Sequence, residues 1–346
     1  MLVTGHTGFK GGWLCLWLQQ LGAEVHGLAL DPPTTPSLFE AARVHEGLAS
    51  DARVDLRNAA AVLRSVQACS PELVLHLAAQ PLVRASYADP VGTYATNVMG
   101  TLHLLEAVRH TPSVRAVLNV TTDKCYENRE WPWGYRENEA MGGHDPYSSS
   151  KACSELLTTA YRNSFLAERG VALATARAGN VIGGGDWAAD RLVPDLLRAF
   201  GRGESAVIRR PAAVRPWQHV IEPLSGYLRL AERLLQDGQA VAEGWNFGPE
   251  DRDARTVGWI VERLAALWGP DARWTLEAEG HPHEAHTLKL DISKAREGLN
   301  WRPRWGLQQA LRRTVEWHKA WQGGADVRAL CLQQLDEHQR THDELS

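Results

Sequence analysis

Leu2-Val3-Thr4-Gly5-His6-Thr7-Gly8-Phe9-Lys10-Gly11-Gly12 opens the chain and decides its reading. A short apolar run ends in Thr4-Gly5, glycines recur at Gly5, Gly8 and Gly11, and an amphipathic helix is expected from about Trp13 to Leu21. Gly-x-x-Gly-x-x-Gly between a strand and a helix lets the backbone approach a pyrophosphate, which then sits on the helix N-terminus. The same spacing also suits a plain tight turn. The following strand, Glu24 to Leu30, tips the balance because it ends in Asp31, twenty residues beyond Gly11. A carboxylate there accepts the hydroxyls of an adenosine ribose and repels a 2′-phosphate. The motif therefore predicts dinucleotide binding, with NAD preferred to NADP. The first strand is very short, which leaves open a native N-terminus beyond Met1.

Outward from this motif strands and helices alternate, the pattern of an α/β protein with a doubly wound parallel sheet of the Rossmann kind. Pro32-Pro33-Thr34-Thr35-Pro36 marks a long loop, followed by a short helix around Leu38 to Arg43. Val54-Asp55-Leu56-Arg57 reads as a strand end with Asp55 in reach of an adenine amino group; a cap for the helix Ala59 to Ala68 is the plainer alternative. Leu73-Val74-Leu75-His76-Leu77 is a continuous apolar run of the kind buried in parallel sheets, and Ala78-Ala79-Gln80 ends it with residues that let a cofactor lie close. Long helices are expected over Tyr94 to Arg109, which carries Asn97, and over Tyr147 to Phe165. Both are apolar on more than one side, which predicts contact with a second subunit.

Polar residues crowd the end of another buried run. Ala116 to Val120 reads as a strand, and Asn119-Val120-Thr121-Thr122-Asp123-Lys124-Cys125-Tyr126 carries it to the edge where open α/β sheets bind ligands. Tyr147-Ser148-Ser149-Ser150-Lys151 sets tyrosine and lysine four apart at a helix start, hence on one face. An ammonium beside a phenol favours the phenolate, so Tyr147 is expected to have a lowered pKa and to act as a base. Thr122, Asp123, Lys124, Tyr147 and Lys151 make a proton-transfer set, against which the chain should hold a redox cofactor and a substrate.

The alternation runs through Ala172 to Arg177 and breaks at the glycine-rich stretch from Ala178 to Trp187, the entry to a second region. Ile208 to His219 carries Arg209, Arg210, Arg215 and Trp217, either a solvated basic face or an arginine set for a diphosphate. The helix Pro223 to Leu235 and the strand Gly244-Trp245-Asn246-Phe247-Gly248 predict a return to the sheet, before a tryptophan-rich lobe that has a helix to Trp268 and reaches about Trp321. The expected division is residues 1–180 with 219–250 for the dinucleotide, and 181–218 with 251–322 as a smaller mixed region for the substrate. Residues 323–346 form a polar helical tail whose docking the sequence leaves open. His281-Pro282-His283-Glu284-Ala285-His286 invites a metal reading, yet no cysteine or carboxylate cluster completes a shell at known spacing, so a ligand contact or an ordinary loop is preferred and no metal is expected.

A chain of 346 residues with 44% hydrophobic content can bury a large core in one or two domains. Basic residues number 37 and acidic residues 41, so no electrostatic case points to nucleic acid. No apolar run approaches the roughly 20 residues of a membrane span, and no signal-peptide pattern precedes the glycine motif. The five cysteines, Cys15, Cys69, Cys125, Cys153 and Cys331, are odd in number and scattered, which suits reduced thiols in a cytoplasm. Of only six lysines, Lys10, Lys124 and Lys151 fall inside the motifs, a hint of lysine-specific chemistry.

With these residues in hand, the chain resembles the extended short-chain dehydrogenase/reductases, and within them the CDP-glucose 4,6-dehydratase branch, from Thr4 to about Trp321. The segments are Thr4 to Gly11, His76-Leu77-Ala78-Ala79-Gln80-Pro81-Leu82-Val83-Arg84, Thr121 to Tyr126, Tyr147 to Lys151, Arg177 to Trp187 and Arg215-Pro216-Trp217-Gln218-His219. The first and fourth mark the superfamily; Thr122-Asp123-Lys124 and Gly183-Gly184-Gly185-Asp186-Trp187 mark the CDP-sugar branch. The resemblance implies a homodimer or dimer of dimers that acts on CDP-glucose by an internal redox cycle with NAD. Tyr147, its pKa lowered by Lys151 and bound NAD⁺, would take the proton of the 4-hydroxyl while hydride leaves carbon 4. The ketone acidifies carbon 5, water leaves carbon 6 with a proton from Asp123, and hydride returns to carbon 6. Thr122 would hydrogen-bond the 4-oxygen. Lys124 stands where related dehydratases carry a glutamate base, either as that base after desolvation or as a cation stabilising the enolate. The resemblance further implies cofactor contacts from Gly5, Thr7, Gly8, Phe9, Lys10, Gly11, Asp31, Asp55, Leu56, Leu77, Ala78, Ala79, Asn97, Tyr147 and Lys151. Substrate contacts would come from Gln80, Arg84, Asn180, Asp186, Trp187, Arg191, Arg215, Asn246 and His283. A 4-epimerase, a dehydratase for another nucleotide sugar, and a non-catalytic cofactor-sensing protein are the alternatives.

Overall fold

Seven strands, β1 Leu2–Thr4, β2 His26–Ala29, β3 Ser50–Arg53, β4 Leu73–His76, β5 Ala116–Val120, β6 Ala172–Ala178 and β7 Gly244–Phe247, form one sheet in the computed structural model, which describes residues 1–277 and 287–343 and side chains as far as Thr341. Their order is β7-β6-β5-β4-β1-β2-β3 and every pairing is parallel. Alternate residues serve opposite faces, as strand geometry requires. Val3, Leu75 and Leu118 join the core under helices α1 Phe9–Gln20 and α6 Ile221–Asp237; Leu2, Val74 and Val117 join that under α2 Ala59–Cys69 and α3 Gly100–Arg109. A separate core gathers α5 Leu192–Gly201, α7 Val257–Trp268 and α8 Leu307–Gln322 with Ile208 and Trp217.

Helix α1 departs from its expected amphipathic form: every residue from Gly11 to Leu18 is buried. The cause is α9 Val327–Asp343, whose Val327, Cys331 and Leu335 join the α1 core from outside. Arg328 donates to the carbonyls of Ala42 and Arg43 at 3.1 and 2.7 Å and to Gln19 Oε1 at 3.0 Å. His338 Nε2 lies 3.0 Å from the buried Glu222 carboxylate on α6. The tail therefore docks.

Both long helices carry a π-helical turn. Pro90–Tyr94 continues through Ala95–Met99 into α3, and α4 Pro146–Tyr161 runs into Arg162–Leu166. Leu156, Phe165 and Met99 stay exposed along them.

The strand order reverses between β1 and β4, where ligands bind in sheets of this type. Thr4 Oγ1 closes that point by accepting from the amides of Leu77 and Ala78 at 3.2 and 3.1 Å. With both lone pairs used, its proton goes to His76 Nδ1 at 2.7 Å, so Nε2 carries the ring hydrogen and gives it to Thr101 Oγ1 at 3.1 Å. Burial holds His76 neutral, with a pKa pressed down to about 3.

Beneath β5 lies a buried ion pair. Glu155 on α4 accepts from Arg177 Nε and Nη2 at 2.9 and 2.8 Å, from Thr175 at 2.7 Å and from Thr121. Arg177 Nη1 reaches the Tyr126 hydroxyl at 2.7 Å and the Glu137 carbonyl at 3.0 Å. Burial pushes the Glu155 pKa up, but the guanidinium and the hydroxyls outweigh it and hold the carboxyl below its usual range. Arg177→Met should therefore cost about 3–5 kcal/mol by stranding a buried carboxylate, read from denaturant midpoints at neutral pH. The folded pKa of Glu155 would then rise above the unfolded one, so the penalty should shrink as pH falls and the stranded group protonates. A penalty independent of pH would show that Glu155 does not depend on Arg177.

Candidate active site

The glycine turn leaves β1 with Gly5 at φ 74°, and a Cβ there would stand 2.7 Å from the Ala78 amide nitrogen. A Cβ on Gly11 would stand 2.1 Å from the Gly5 carbonyl oxygen. Only glycine permits this approach. Thr7 pins the turn to β2 through the Leu30 carbonyl at 2.9 Å, and His6 Nε2 bonds Asp51 at 2.8 Å. The result is a cradle at the N-terminus of a twelve-residue helix with no acidic residue in its first turn, which suits a dinucleotide pyrophosphate. Asp31 follows β2 closely, its side chain 90% exposed. Its neighbour Arg53, fixed by Asp51 at 2.7 Å and the Leu30 carbonyl at 3.1 Å, brings Nε to 3.8 Å. The residues present fit NAD.

The catalytic residues expected from sequence converge beside this cradle. Thr122 caps the short turn Asp123–Cys125 and donates to Asp123 Oδ1 at 3.0 Å. Asp123 is 1% exposed, and its Oδ2 has no hydrogen-bond partner among the described residues. Burial raises its pKa against the opposing pull of Lys124, Thr122 and Arg215. Asp145 caps α4 by accepting from Ser148 N at 2.9 Å, which sets Tyr147 and Lys151 on the face turned to β5.

Here the expected pKa of Tyr147 is corrected. Burial pushes the phenol up to about 12, only partly countered by a hydrogen bond with Thr122. Lys151 Nζ donates to the Val120 carbonyl at 3.2 Å, and burial presses its own pKa down to about 8. An amine so desolvated and so engaged does not by itself make the phenol acidic.

Asn180 keeps a buried Oδ1 without a partner among the described residues. Arg191, held by Asp186 at 2.9 Å, faces Tyr147 and Lys10. Buried Arg215 acts on Asp123 through its charge. Arg84 pairs with Asp190 at 3.1 Å. Phe9 lies against Gly183, and Leu77, Ala78 and Ala79 stay partly open at the switch point.

Several residues expected at the ligands are held by protein partners. Asp55, its side chain 31% exposed, accepts from Arg57 through both oxygens at 2.6–3.0 Å, and Asn58 rather than Asp55 caps α2. Leu56 is buried under Gly100. Gln80 spends its amide on Leu82 and Thr93, and Asn97 clamps the Gln80 backbone from both sides while donating to Ser150 at 2.9 Å. Trp187 packs among Trp317, His318 and Trp321. Asn246 is fully buried, bonded to Tyr126, Tyr135, Glu137 and Asp291. Residues of this kind brace the site from behind. His283 and the rest of the 281–286 metal reading lie outside the described residues.

Two residues of this region escaped the sequence. Glu155 was signalled by its spacing, since it follows Lys151 by one helical turn. Tyr227 on α6 was not: it meets Lys10 across 217 positions, with Nζ donating to its hydroxyl at 3.4 Å.

The family model described as GDP-mannose 4,6 dehydratase matches residues 2–314. The CDP-glucose 4,6-dehydratase of Salmonella typhimurium is 56% identical over 98% of this chain and 95% of its own. A dTDP-glucose 4,6-dehydratase of Xanthomonas campestris is 28% identical over 92% of both chains. Among solved structures, dTDP-glucose 4,6-dehydratase from Bacillus anthracis in complex with NAD superposes with a TM-score of 0.77 at 22% identity, covering 94% of this chain and 98% of that one. UDP-glucuronic acid 4-epimerase from Bacillus cereus reaches 0.81 at 23% identity, covering 92% and 99%. These two similarities speak for the fold.

Asp31 and Arg53 generate a prediction on the cofactor. Asp31→Ala removes the acceptor for the ribose hydroxyls and frees Arg53 to meet a 2′-phosphate. A hydrogen bond to a charged group contributes about 1.5–3 kcal/mol, so the preference for NAD over NADP should fall by roughly tenfold to a hundredfold, measured by titrating both nucleotides. Equal affinities in the unsubstituted chain would remove the role given to Asp31.

Proposed function

The chain belongs to the nucleotide-sugar dehydratase family described as GDP-mannose 4,6 dehydratase, and from that premise we propose that it is a hydro-lyase converting CDP-D-glucose to CDP-4-dehydro-6-deoxy-D-glucose and water. The observation that carries this reading is Asp123, a buried carboxyl whose pKa burial raises and whose Oδ2 has no hydrogen-bond partner among the described residues. Expelling a hydroxyl needs such an acid. A 4-epimerase also uses a tyrosine and lysine but gives a buried acid no task. The 56% identity to a CDP-glucose 4,6-dehydratase favours CDP-glucose as the nucleotide sugar.

NAD would rest on the Gly5 to Gly11 cradle with its ribose at Asp31, and when bound it supplies a positive charge near the phenol and the site that takes hydride from carbon 4 and returns it to carbon 6. The residues do the rest. Tyr147 takes the proton of the 4-hydroxyl, with Thr122 fixing that oxygen and Lys151 fixing the strand end through Val120. Asp123 gives its proton to the hydroxyl leaving carbon 6. Lys124 stands beside it, to take the proton of carbon 5 as a free amine and, once charged, to meet the enolate that this leaves. Arg191, Arg215 and Asn180 form the polar wall for the diphosphate. The exposed apolar residues Leu156, Phe165 and Met99 on α4 and beside α3 make those helices the contact of a homodimer, and five unpaired cysteines suit a cytoplasmic setting.

Incubation with CDP-glucose should yield a 4-keto product by alkaline ultraviolet absorbance. Tyr147→Phe should abolish turnover with no reduced-nicotinamide absorbance on mixing. Asp123→Asn should lose roughly 10²–10⁴-fold in rate while that absorbance builds, because oxidation survives and elimination stalls. Normal substrate binding by Asp123→Asn without the absorbance would assign Asp123 to the first step and overturn this division of roles.

A further inference from the structure

Gly179 follows the last residue of β6, where the chain passes from the sheet into the substrate-side region. Its φ lies outside the left-handed region, so the backbone conformation does not call for glycine. The space around it does. A Cβ here would stand 2.5 Å from Pro216 Cγ, 3.0 Å from Asp123 Oδ2 and 3.1 Å from the Pro216 carbonyl oxygen. The buried acid of the site is thus packed against a bare Cα, with the Pro216 ring on the same spot.

Three stretches of chain are brought together at this point. Parallel pairing sets Val120 opposite Ala176, and the Thr121 amide donates to the Ala176 carbonyl at 2.8 Å. Thr122 and Asp123 therefore leave β5 beside the end of β6. Past Gly179, the Asn180 carbonyl accepts from the Gln218 amide at 3.0 Å, and Val181–Ile182 pairs with Gln218–His219. That pairing holds the buried strand end at Pro216 over Gly179. Of the two carboxyl oxygens, Thr122 donates to Oδ1 at 3.0 Å, while Oδ2, which has no partner among the described residues, is the one that meets Gly179.

We infer that Gly179 is a positioning residue for the elimination step, because its missing side chain fixes where the Asp123 carboxyl lies. Oxidation at carbon 4 does not use this contact: the three atoms nearest to a Cβ at 179 belong to Pro216 and Asp123, none to Tyr147 or Lys151. Loss of water does use it, since Asp123 gives its proton to the departing hydroxyl while Lys124 takes one from carbon 5. A densely packed interior does not take up a methyl group without a shift. A side chain at 179 would thus leave a site that oxidises carbon 4 and stalls before water leaves.

The inference rests on the dehydratase reading, and holoenzyme mixed with CDP-glucose separates the two. Absence of 4-keto product from the unsubstituted enzyme defeats the reading itself. Given that product, Gly179→Ala should turn over about 10²-fold more slowly, the cost of misplacing a reacting group by roughly 1 Å. Its KM should stay near normal, and reduced-nicotinamide absorbance should build on mixing. Pro216→Ala removes the ring from the tightest contact and leaves the one to Asp123. Measured against Pro216→Ala alone, the pair with Gly179→Ala should still stall with that absorbance; this pair serves if Gly179→Ala by itself fails to fold. Gly179→Ala should add no further loss to Asp123→Asn, because both act on one group. Turnover in the pair equal to that of Pro216→Ala alone would overturn the inference and leave Gly179 as packing under Pro216. So would losses that multiply with Asp123→Asn, or slow turnover without the absorbance in Gly179→Ala enzyme that still binds CDP-glucose.

Discussion

Everything catalytic in this molecule hangs on the buried pairing of Glu155 with Arg177. One carboxylate gathers Thr121 after β5, Thr175 and Arg177 on β6, and the middle of α4. The acid and its threonine emerge directly after Thr121, and the tyrosine and lysine sit on the same helix as Glu155. Two charges this deep bring little net stability, because desolvation consumes most of their attraction. What they provide is a fixed distance between strand end and helix, since neither partner can leave without stranding the other. Arg177 extends the constraint through Tyr126 to Asn246 on β7, so the far edge of the sheet is tied to the same point.

Environment then divides the work between groups that would titrate far apart in water. Burial drives an acid and a phenol the same way, towards the protonated form, so Asp123 arrives ready to donate while Tyr147 does not arrive ready to accept. The same burial pushes Lys10 and Lys151 the other way. The site at rest is thus short of charge, and its acid–base order depends on what is brought into it.

The sheet and the site were legible in the sequence to different depths. Continuous apolar runs and the glycine turn wrote the strands plainly, because strands covered on both faces must be apolar throughout. Thr122, Asp123, Tyr147 and Lys151 stood out for a similar reason: each pair lies within five positions along the chain. The scaffold bonds of Gln80, Asn97, Trp187 and Asn246 were not legible, because a polar or aromatic residue near a site can serve the ligand or the scaffold, and its partners are distant in sequence. The pairing of Asp55 with Arg57, two residues away, was not foreseen either. The form of α1 was hidden as well, since nothing in Trp13-Leu14-Cys15-Leu16-Trp17-Leu18 tells that a helix more than about 300 residues later covers its outer side.

That cover sets a timetable for the chain's birth. The glycine turn and α1 leave the ribosome well before α9, and the apolar flank of α1 gains its partner only when Val327–Asp343 has been made. At about 5–20 residues per second, the interval is on the order of tens of seconds. Through that time Trp17 and its neighbours are open to chaperones or to another nascent copy, and the nucleotide cradle is propped from one side only. Completion of an early part of the fold therefore waits on a much later one.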